Sequence, residues 1–331
     1  MTRPLRAGLV GLGHMGRHHA RVLRSLPDLD LVAAVDTRDQ IRVTTDVDVV
    51  GTVGELIDLG IDLCVVATPT VTHQRIGLEL ARAGVATLIE KPLAHDSESA
   101  RSLVEAFARS GAIGCVGHVE RYNPALQQMR RRLALGELGE LYQVVTRRQG
   151  PFPARIIDAG VILDLATHDI DLTAWVTGSS YLSVSARTAH RSGRPHEDLV
   201  SAVAELSDGI VATHLVNWLS PFKERMTTVT GERGSLVADT LTADLTYYEN
   251  GSEMAQWDRV AAFRGVAEGN VTRFAIAKPE PLLTELASFV AAVRGDRDAP
   301  VVTLDEGVST VRIAEALRDS AVSGGTVKVA P

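Results

Sequence analysis

Cysteine is nearly absent: Cys64 and Cys115 are the only two in 331 residues. Both fall in apolar stretches, so they read as buried thiols of a reducing compartment, and they provide neither a disulfide framework nor a zinc cluster. No apolar run reaches the roughly 20 residues that a membrane-spanning helix needs. The start, Met1-Thr2-Arg3-Pro4-Leu5-Arg6, leads into a short apolar stretch without the h-region of a secretory signal, and the expectation is a cytoplasmic protein. A basic surplus is missing too. The formal net charge of −7 argues against a nucleic-acid partner but leaves room for a local basic pocket. There is no internal repeat or low-complexity tract. What remains is an ordinary globular composition, 45% hydrophobic and 23% charged, with enough apolar material at this length for two domains.

The first half reads as strand, helix, strand in repetition. Leu5 to Val10 is a short strand, followed at once by Gly11-Leu12-Gly13-His14-Met15-Gly16, a helical stretch, and a second strand ending at Asp36. Gly11 allows the tight turn, Gly13 lets the backbone approach a pyrophosphate, and Gly16 lets the helix pack against the strand. The free N–H groups at the helix start face the anion. Asp36, 20 residues past Gly16, has the spacing of an acid that binds ribose hydroxyls. A 2′-phosphate facing that acid is repelled, so NAD is favoured. Arg38, after Thr37, leaves NADP open. Thr37 to Val50 is β-branched and short, poor helix material, so a truncated crossover is expected there.

A buried strand, Asp62 to Ala67, ends in Thr68-Pro69-Thr70, and the next helix carries His73 in its first turn, where a surface position is usual. A second strand ends in Glu90-Lys91-Pro92. Ladder pairing stops at the proline, and ligands of open α/β sheets sit outside the carboxyl ends of the strands. Lys91 is thereby a candidate ligand-facing group, the alternative being a solvated strand end. In the second half, Asp164 and His168 stand four apart in Gly160–Val176, on one helical face. A carboxylate beside an imidazole fixes its tautomer and suits it to general acid–base work. A surface helix pair is the plainer alternative, and metal-like spacing of further ligands is lacking. Arg130, Arg131 and Arg132 read as a solvated face. From Leu182 onward the pattern is sheet, with hairpin turns at Ser207-Asp208-Gly209 and at Gly231-Glu232-Arg233-Gly234. Trp218 is either a platform for a substrate ring or a core or interface residue. A sheet with one uncovered face predicts a homodimer or homotetramer.

The stretch Ala67-Thr68-Pro69-Thr70-Val71-Thr72-His73, with Ala83-Gly84, Glu90-Lys91-Pro92 and the glycine turn, resembles the Gfo/Idh/MocA oxidoreductase family over essentially the whole chain. The resemblance implies an α/β fold: an N-terminal Rossmann domain with a doubly wound parallel sheet (1–118), and a C-terminal α/β domain (119–331) with a large, mostly antiparallel, open-faced sheet. It implies NAD(P) and hydride transfer to or from a sugar or cyclitol carbon. It puts Lys91 near the nicotinamide and the reacting hydroxyl, has Thr68, Pro69, His73 and Glu90 contact the cofactor, and matches a D-x-x-x-H motif at Asp164 and His168. The runs Gly117–Pro124, Gly150–Arg155 and Asn217–Pro221 look like the nucleotide-sugar branch, which includes UDP-N-acetylglucosamine 3-dehydrogenases. By that resemblance Arg121, Tyr122, Asn123 and Arg155 line the sugar or diphosphate pocket; singly, each is as readily a domain-interface residue. The expected activity is NAD-dependent oxidation at the C3 hydroxyl of a nucleotide sugar, or its reversal. An inositol or aminocyclitol dehydrogenase and a non-catalytic cofactor-binding sensor are the alternatives.

Overall fold

The computed structural model describes residues 3–38, 47–153, 159–251 and 267–329. The chain forms two compact units, Met1–Val119 with Glu280–Arg312 and Glu120–Pro279 with Ile313–Pro331. The first crossing falls at residues 119 and 120, and residues 280–312 return to the first unit.

The first unit is built on strands β1 (Leu5–Val10), β2 (Leu29–Val35), β3 (Val49–Val50), β4 (Leu63–Val66), β5 (Ala86–Glu90) and β6 (Gly114–Gly117). They pair in the order β3-β2-β1-β4-β5-β6, all parallel. This is the doubly wound arrangement, in which the chain reverses direction across the sheet between β1 and β4. Helices α1 (His14–Ser25), α2 (Val53–Asp58), α3 (His73–Arg82) and α4 (Ser97–Ser110) alternate with the strands. β4 and β5 are buried throughout, as the unbroken apolar runs of a two-sided parallel sheet demand. α4 is bounded at both ends: Asp96 accepts the Ser99 N–H at 2.7 Å, and Gly111 closes it at φ 72°, a left-handed position that glycine takes without strain. Most of Thr37–Val50, where a truncated crossover was expected, lies outside the described residues; its end is β3. Helix α7 (Pro281–Val293) joins this unit because Leu282, Leu286 and Phe289 fill one core with Leu9, Leu23 and Leu88. No described helix is long and apolar enough to cross a membrane.

The second unit holds helices α5 (Pro124–Ala134) and α6 (Thr167–Thr177) and strands β7 (Leu141–Pro151), β8 (Tyr181–Ala189), β9 (Leu199–Leu206), β10 (Val211–Asn217), β11 (Leu219–Gly231), β12 (Gly234–Asp239), β13 (Asp244–Gly251), β14 (Ala267–Arg273) and β15 (Val327–Lys328). Helix α8 (Leu304–Ser323) runs through the division of the chain. The nine strands pair in the order β14-β13-β12-β11-β7-β10-β9-β8-β15. The sheet is antiparallel except where β7 meets β10. β7 runs on to Pro151. The turn between β9 and β10 has Asp208 and Gly209 at φ 65° and 75°, the positive-φ pair of a tight hairpin. Alternation divides the sheet. Val144, Ala202, Ala212, Val229 and Leu236 point into the core with Leu126, Ile162 and Ile170. Ser185, Val203, Thr213, Val145, Thr228 and Val237 form an outward row in register, with Val203 50% exposed.

Because Leu286 is fully buried in the first unit's core, Leu286→Ala is expected to cost about 2–5 kcal/mol. Val322→Ala, at a 90% exposed position, is expected to stay within about 0.5 kcal/mol of the parent. Urea unfolding of both variants measures this, and equal midpoints would contradict the assignment of α7 to that core.

Candidate active site

The glycine turn is shaped by contact as much as by conformation. Gly11 sits at φ 95°, and a side chain on Gly16 would overlap the Gly11 carbonyl. Around Gly13 a Cβ would meet nothing within 4 Å, so this stretch of backbone is open to a ligand. Gly13 also caps α1 without a side-chain bond, and the first turn holds no acid. The helix start therefore keeps N–H groups and positive dipole for an anion. His14 is exposed and Met15 half-buried beside it; the His14 ring meets His18 edge-on, centroids 5.0 Å apart.

Asp36 is buried at the end of β2 and fully engaged. Its Oδ2 accepts the Leu12 N–H at 2.7 Å, and Arg38 closes on it with Nε to Oδ1 at 2.9 Å and Nη2 to Oδ2 at 2.8 Å. The Arg38 guanidinium holds the carboxyl down to about 2, with help from the Leu12 N–H and against burial. Arg38 itself is exposed, as is Thr37. The two residues that were read as competing votes on the cofactor thus form one ion pair.

The ends of β4 and β5 are joined through His73. Its Nε2 lies 2.9 Å from the Thr68 carbonyl and its Nδ1 2.9 Å from the Pro92 carbonyl. The surface position expected for it is corrected: the ring is 1% exposed, because it fills the gap between the two turns. Burial pushes it toward the neutral form, more strongly than the two carbonyls and the nearby Glu90 favour the proton. Thr72 steadies the same turn, its hydroxyl donating to the Pro69 carbonyl at 2.8 Å and lying 2.7 Å from the Thr68 hydroxyl. Ala67 and Thr68 are half-buried and Pro69 exposed. The Lys91–Pro92 bond is cis. Glu90 is buried, with Oε1 2.8 Å from His19 Nε2 and Oε2 accepting the Lys91 N–H at 3.2 Å. Lys91 is half-buried. Glycine turn, Asp36, Thr68 and Lys91 stand at the carboxyl ends of β1, β2, β4 and β5, where an open α/β sheet binds its ligand. An open Gly13, an uncapped helix start and an acid at the end of β2 fit a dinucleotide.

In the second unit, Asp164 and His168 are both half-buried, but the helix between them is not regular. Ile162–Ala166 is a π-turn, in which the Thr167 N–H reaches back to the Ile162 carbonyl. Such turns recur at functional sites, and no local sequence signal marked this one. Its start is tied down by Glu197, whose carbonyl and Oε1 accept the Val161 and Ile162 N–H groups at 3.1 and 3.0 Å. Two buried acids follow His168, and each is gripped by an arginine. Arg148 Nε lies 3.1 and 3.2 Å from the Asp169 oxygens while its Nη1 reaches Glu120 at 2.9 Å. Arg121 forks onto Asp171 at 2.9 and 2.6 Å. Arg225 meets Glu120 at 3.1 Å. Burial favours the neutral form of Glu120, but Arg148 and Arg225 outweigh it and hold the carboxyl below its usual range.

Of the expected substrate contacts, Arg121 and Tyr122 are buried. Asn123 caps α5 through the Ala125 N–H at 3.0 Å and donates to the Thr240 carbonyl at 3.0 Å. Trp218 is 4% exposed, with Phe152 edge-on at 5.5 Å and the Arg194 guanidinium 5.2 Å from its ring. Arg155 lies outside the described residues. Of the arginines read as a solvated face, Arg130 and Arg131 are exposed, Arg130 lying over the Trp175 ring at 4.6 Å, while Arg132 is half-buried and pairs with Glu137 at 2.8 Å. Sequence reasoning missed His19, Glu120, Arg148, Asp169, Asp171 and Glu285. The available signal was charge inside apolar runs, as at Asp169 and Asp171. Among the described residues no group of three or more His, Cys, Asp or Glu could hold a metal ion.

Residues 5–118 match the description "Oxidoreductase family, NAD-binding Rossmann fold", and residues 126–237 match the GFO/IDH/MocA C-terminal domain. The chain is 31% identical to inositol 2-dehydrogenase 2 of Saccharopolyspora erythraea over 345 residues, 98% of this chain and 96% of that one. It is 28% identical to UDP-N-acetylglucosamine 3-dehydrogenase of Acidithiobacillus ferrooxidans over 299 residues, 88% of this chain and 90% of that one. Among solved structures it is similar to GenD2 from gentamicin A biosynthesis, in complex with NAD, with a TM-score of 0.83 at 26% identity over 100% of this chain and 98% of the other.

Arg38→Ala is expected to free the Asp36 carboxylate, which then accepts ribose hydroxyls and repels a 2′-phosphate. NADPH affinity should fall about tenfold or more, about 1.4 kcal/mol, with NADH affinity changing far less. Fluorescence titration with both nucleotides reads this, and equal losses would refute the role given to the pair.

Proposed function

The chain belongs to the Gfo/Idh/MocA family of oxidoreductases, and from that premise we propose that this sugar or polyol dehydrogenase uses NAD to oxidise a nucleotide-activated sugar at its C3 hydroxyl, or to reduce the matching ketone. The observation that carries the reading is Lys91: half-buried, on a strand end, in the same sheet as the open glycine turn and two strands from it. The 28% identity to a UDP-N-acetylglucosamine 3-dehydrogenase over most of both chains supports the substrate class.

NAD, when bound, supplies the hydride acceptor. The glycine turn, the start of α1, Asp36 and the Thr68–Pro69 turn hold it, with His73 and Glu90 fixing the backbone beneath. Lys91 hydrogen-bonds the reacting oxygen through its ammonium and steadies the negative charge that develops there. His168, with Asp164 setting its orientation, takes the hydroxyl proton as oxidation proceeds and returns it in reduction. Arg148 and Arg121 keep the helix of His168 in place through Asp169 and Asp171. The outward row of the nine-stranded sheet, Val203, Val145 and Val237 among it, joins copies into a homodimer or homotetramer.

A second reading is favoured by the 31% identity to an inositol 2-dehydrogenase over nearly the whole of both chains: the same machinery acting on a cyclitol. Turnover with NAD on UDP-sugars and on inositols decides between the two. Binding of NAD without turnover on any of them would instead favour a sensor. Lys91→Ala and His168→Ala are each expected to lower kcat about 10²–10⁴-fold with NADH binding retained; undiminished turnover in either removes that residue from the mechanism. Light scattering tests the assembly: Val203→Glu is expected to shift the oligomer toward monomer, and a monomeric parent would refute the interface.

A further inference from the structure

Helix α1 buries Gly16, His19, Ala20, Val22 and Leu23, and of these His19 has the one polar side chain. Ala20, Val22 and Leu23 pack with Leu9, Val65 and Leu88 in a single apolar core. An apolar residue at 19 would complete that face without the cost of dehydrating an imidazole. The ring is fully buried, and its Nε2 lies 2.8 Å from Glu90 Oε1. A carboxylate only accepts, so Nε2 carries the proton of that contact. The other ring nitrogen is buried without a partner among the described residues.

Glu90 is the last residue of β5, which stands two strands from β1 in the sheet. The contact therefore ties the helix that follows β1 to a strand that β1 does not pair with. The second carboxylate oxygen, Oε2, accepts the Lys91 N–H at 3.2 Å. Gly117, opposite Glu90 in β6, leaves the acid its place: a Cβ there would stand 3.3 Å from the Glu90 carboxyl carbon. Burial opposes ionisation of Glu90, yet His19, and then Lys91 and His73, hold its carboxyl below the usual range. One oxygen of this carboxylate thus belongs to α1 and the other to the backbone of Lys91. The first residue of the same helix is His14, beside the N–H groups that are open to an anion. Replacing a buried ion pair by apolar side chains is often neutral for stability, so what this pair contributes is geometry.

We propose that His19 is a positioning residue: through Glu90 it locks the helix whose start holds the dinucleotide to the strand end that carries Lys91, and so fixes where the Lys91 ammonium stands relative to the bound cofactor. This rests on the roles given above to the glycine turn and to Lys91. Loss of the contact leaves the glycine turn and the helix start intact, so turnover suffers more than cofactor binding. A misplacement of about 1 Å is enough to cost about 10²-fold in rate.

His19→Leu removes the donor and keeps the site filled, whereas His19→Gln restores an N–H donor at similar reach. Amide hydrogen exchange of the full chain, read by mass spectrometry, follows the strand end without any substrate. Exchange over residues 88–93 is expected to quicken about tenfold in His19→Leu, the worth of one hydrogen bond to a charged group, and to return to the parent rate in His19→Gln. Turnover is measured with NAD on UDP-N-acetylglucosamine and on myo-inositol. In His19→Leu kcat is expected to fall about 10–10²-fold, with NADH affinity within about threefold of the parent, and His19→Gln should recover most of the loss. Added to Glu90→Ala, His19→Leu should lower kcat no further, because the two act as a unit. Parent-like exchange in His19→Leu would overturn the link, and faster exchange with parent kcat would overturn the positioning role. Equal losses in His19→Leu and His19→Gln would reduce His19 to packing, and multiplied losses in the double variant would take Glu90 out of the path. If His19→Leu does not fold, His19→Met carries the same comparisons. If the parent turns over neither compound, the catalytic reading fails and the positioning role with it, while the exchange rates still decide whether His19 holds the strand end.

Discussion

The carbonyls of Thr68 and Pro92 lie at the ends of neighbouring parallel strands, past the last ladder bonds, and the His73 ring stands between them at 2.9 Å from each. Two carbonyl acceptors call for a proton on each ring nitrogen, whereas burial pushes the ring toward the neutral form, in which one nitrogen alone donates. This bridge is the constraint on which the ligand-facing edge of the first unit depends. It joins the Thr68–Pro69 turn to the Lys91–Pro92 turn, and both turns carry residues assigned here to cofactor and substrate. A surface histidine at the same place could not do this, because water would compete for both nitrogens.

The same physics recurs at several buried acids of this chain. Asp36, Glu90, Asp169 and Asp171 are all buried, and each has a defined donor: the Arg38 fork, the His19 ring, the Arg148 guanidinium and the Arg121 fork. Removing Arg148 or Arg121 from its buried pair leaves a buried carboxylate uncompensated, at about 3–5 kcal/mol. These pairs therefore fix geometry more than they add stability. The two arginine grips leave the helix of His168 little freedom, and the π-turn before it is anchored at its start by Glu197. Buried Tyr181, His214 and Thr146 form a chain of the same kind, 2.9 and 2.7 Å per step, with burial pushing His214 down to about 4. Among the described residues the buried Glu285 has no hydrogen-bond donor, and burial pushes its carboxyl toward the neutral form.

Much of the fold was legible because it is local. The glycine spacing, the buried runs of β4 and β5, the Gly111 stop and the Asp208-Gly209 turn are set by backbone sterics and side-chain periodicity within a few residues. The site was legible in its members but not in their wiring. Asp36 and Arg38 were read as competing signals and are one ion pair. His73 was expected at the surface and is buried. Arg121 and Asn123 were expected to face substrate, yet their side chains are committed to Asp171 and Thr240. In each case the deciding partner is either beyond the reach of local pattern or, as with Arg38, close in sequence but paired through a geometry that only the folded strand end provides.

The sequence by itself determined the two-domain α/β architecture, the dinucleotide turn, and the residues at which chemistry was to be sought, because these follow from short-range stereochemistry. Only the tertiary structure decided that residues 280–312 return to the first unit, that Asp164 lies in a π-turn just ahead of His168, and which buried acid each arginine holds. Those outcomes depend on which surfaces meet in three dimensions. Desolvation favours a partner for a buried charge there, and neither the meeting nor the partner is encoded in a local window of residues.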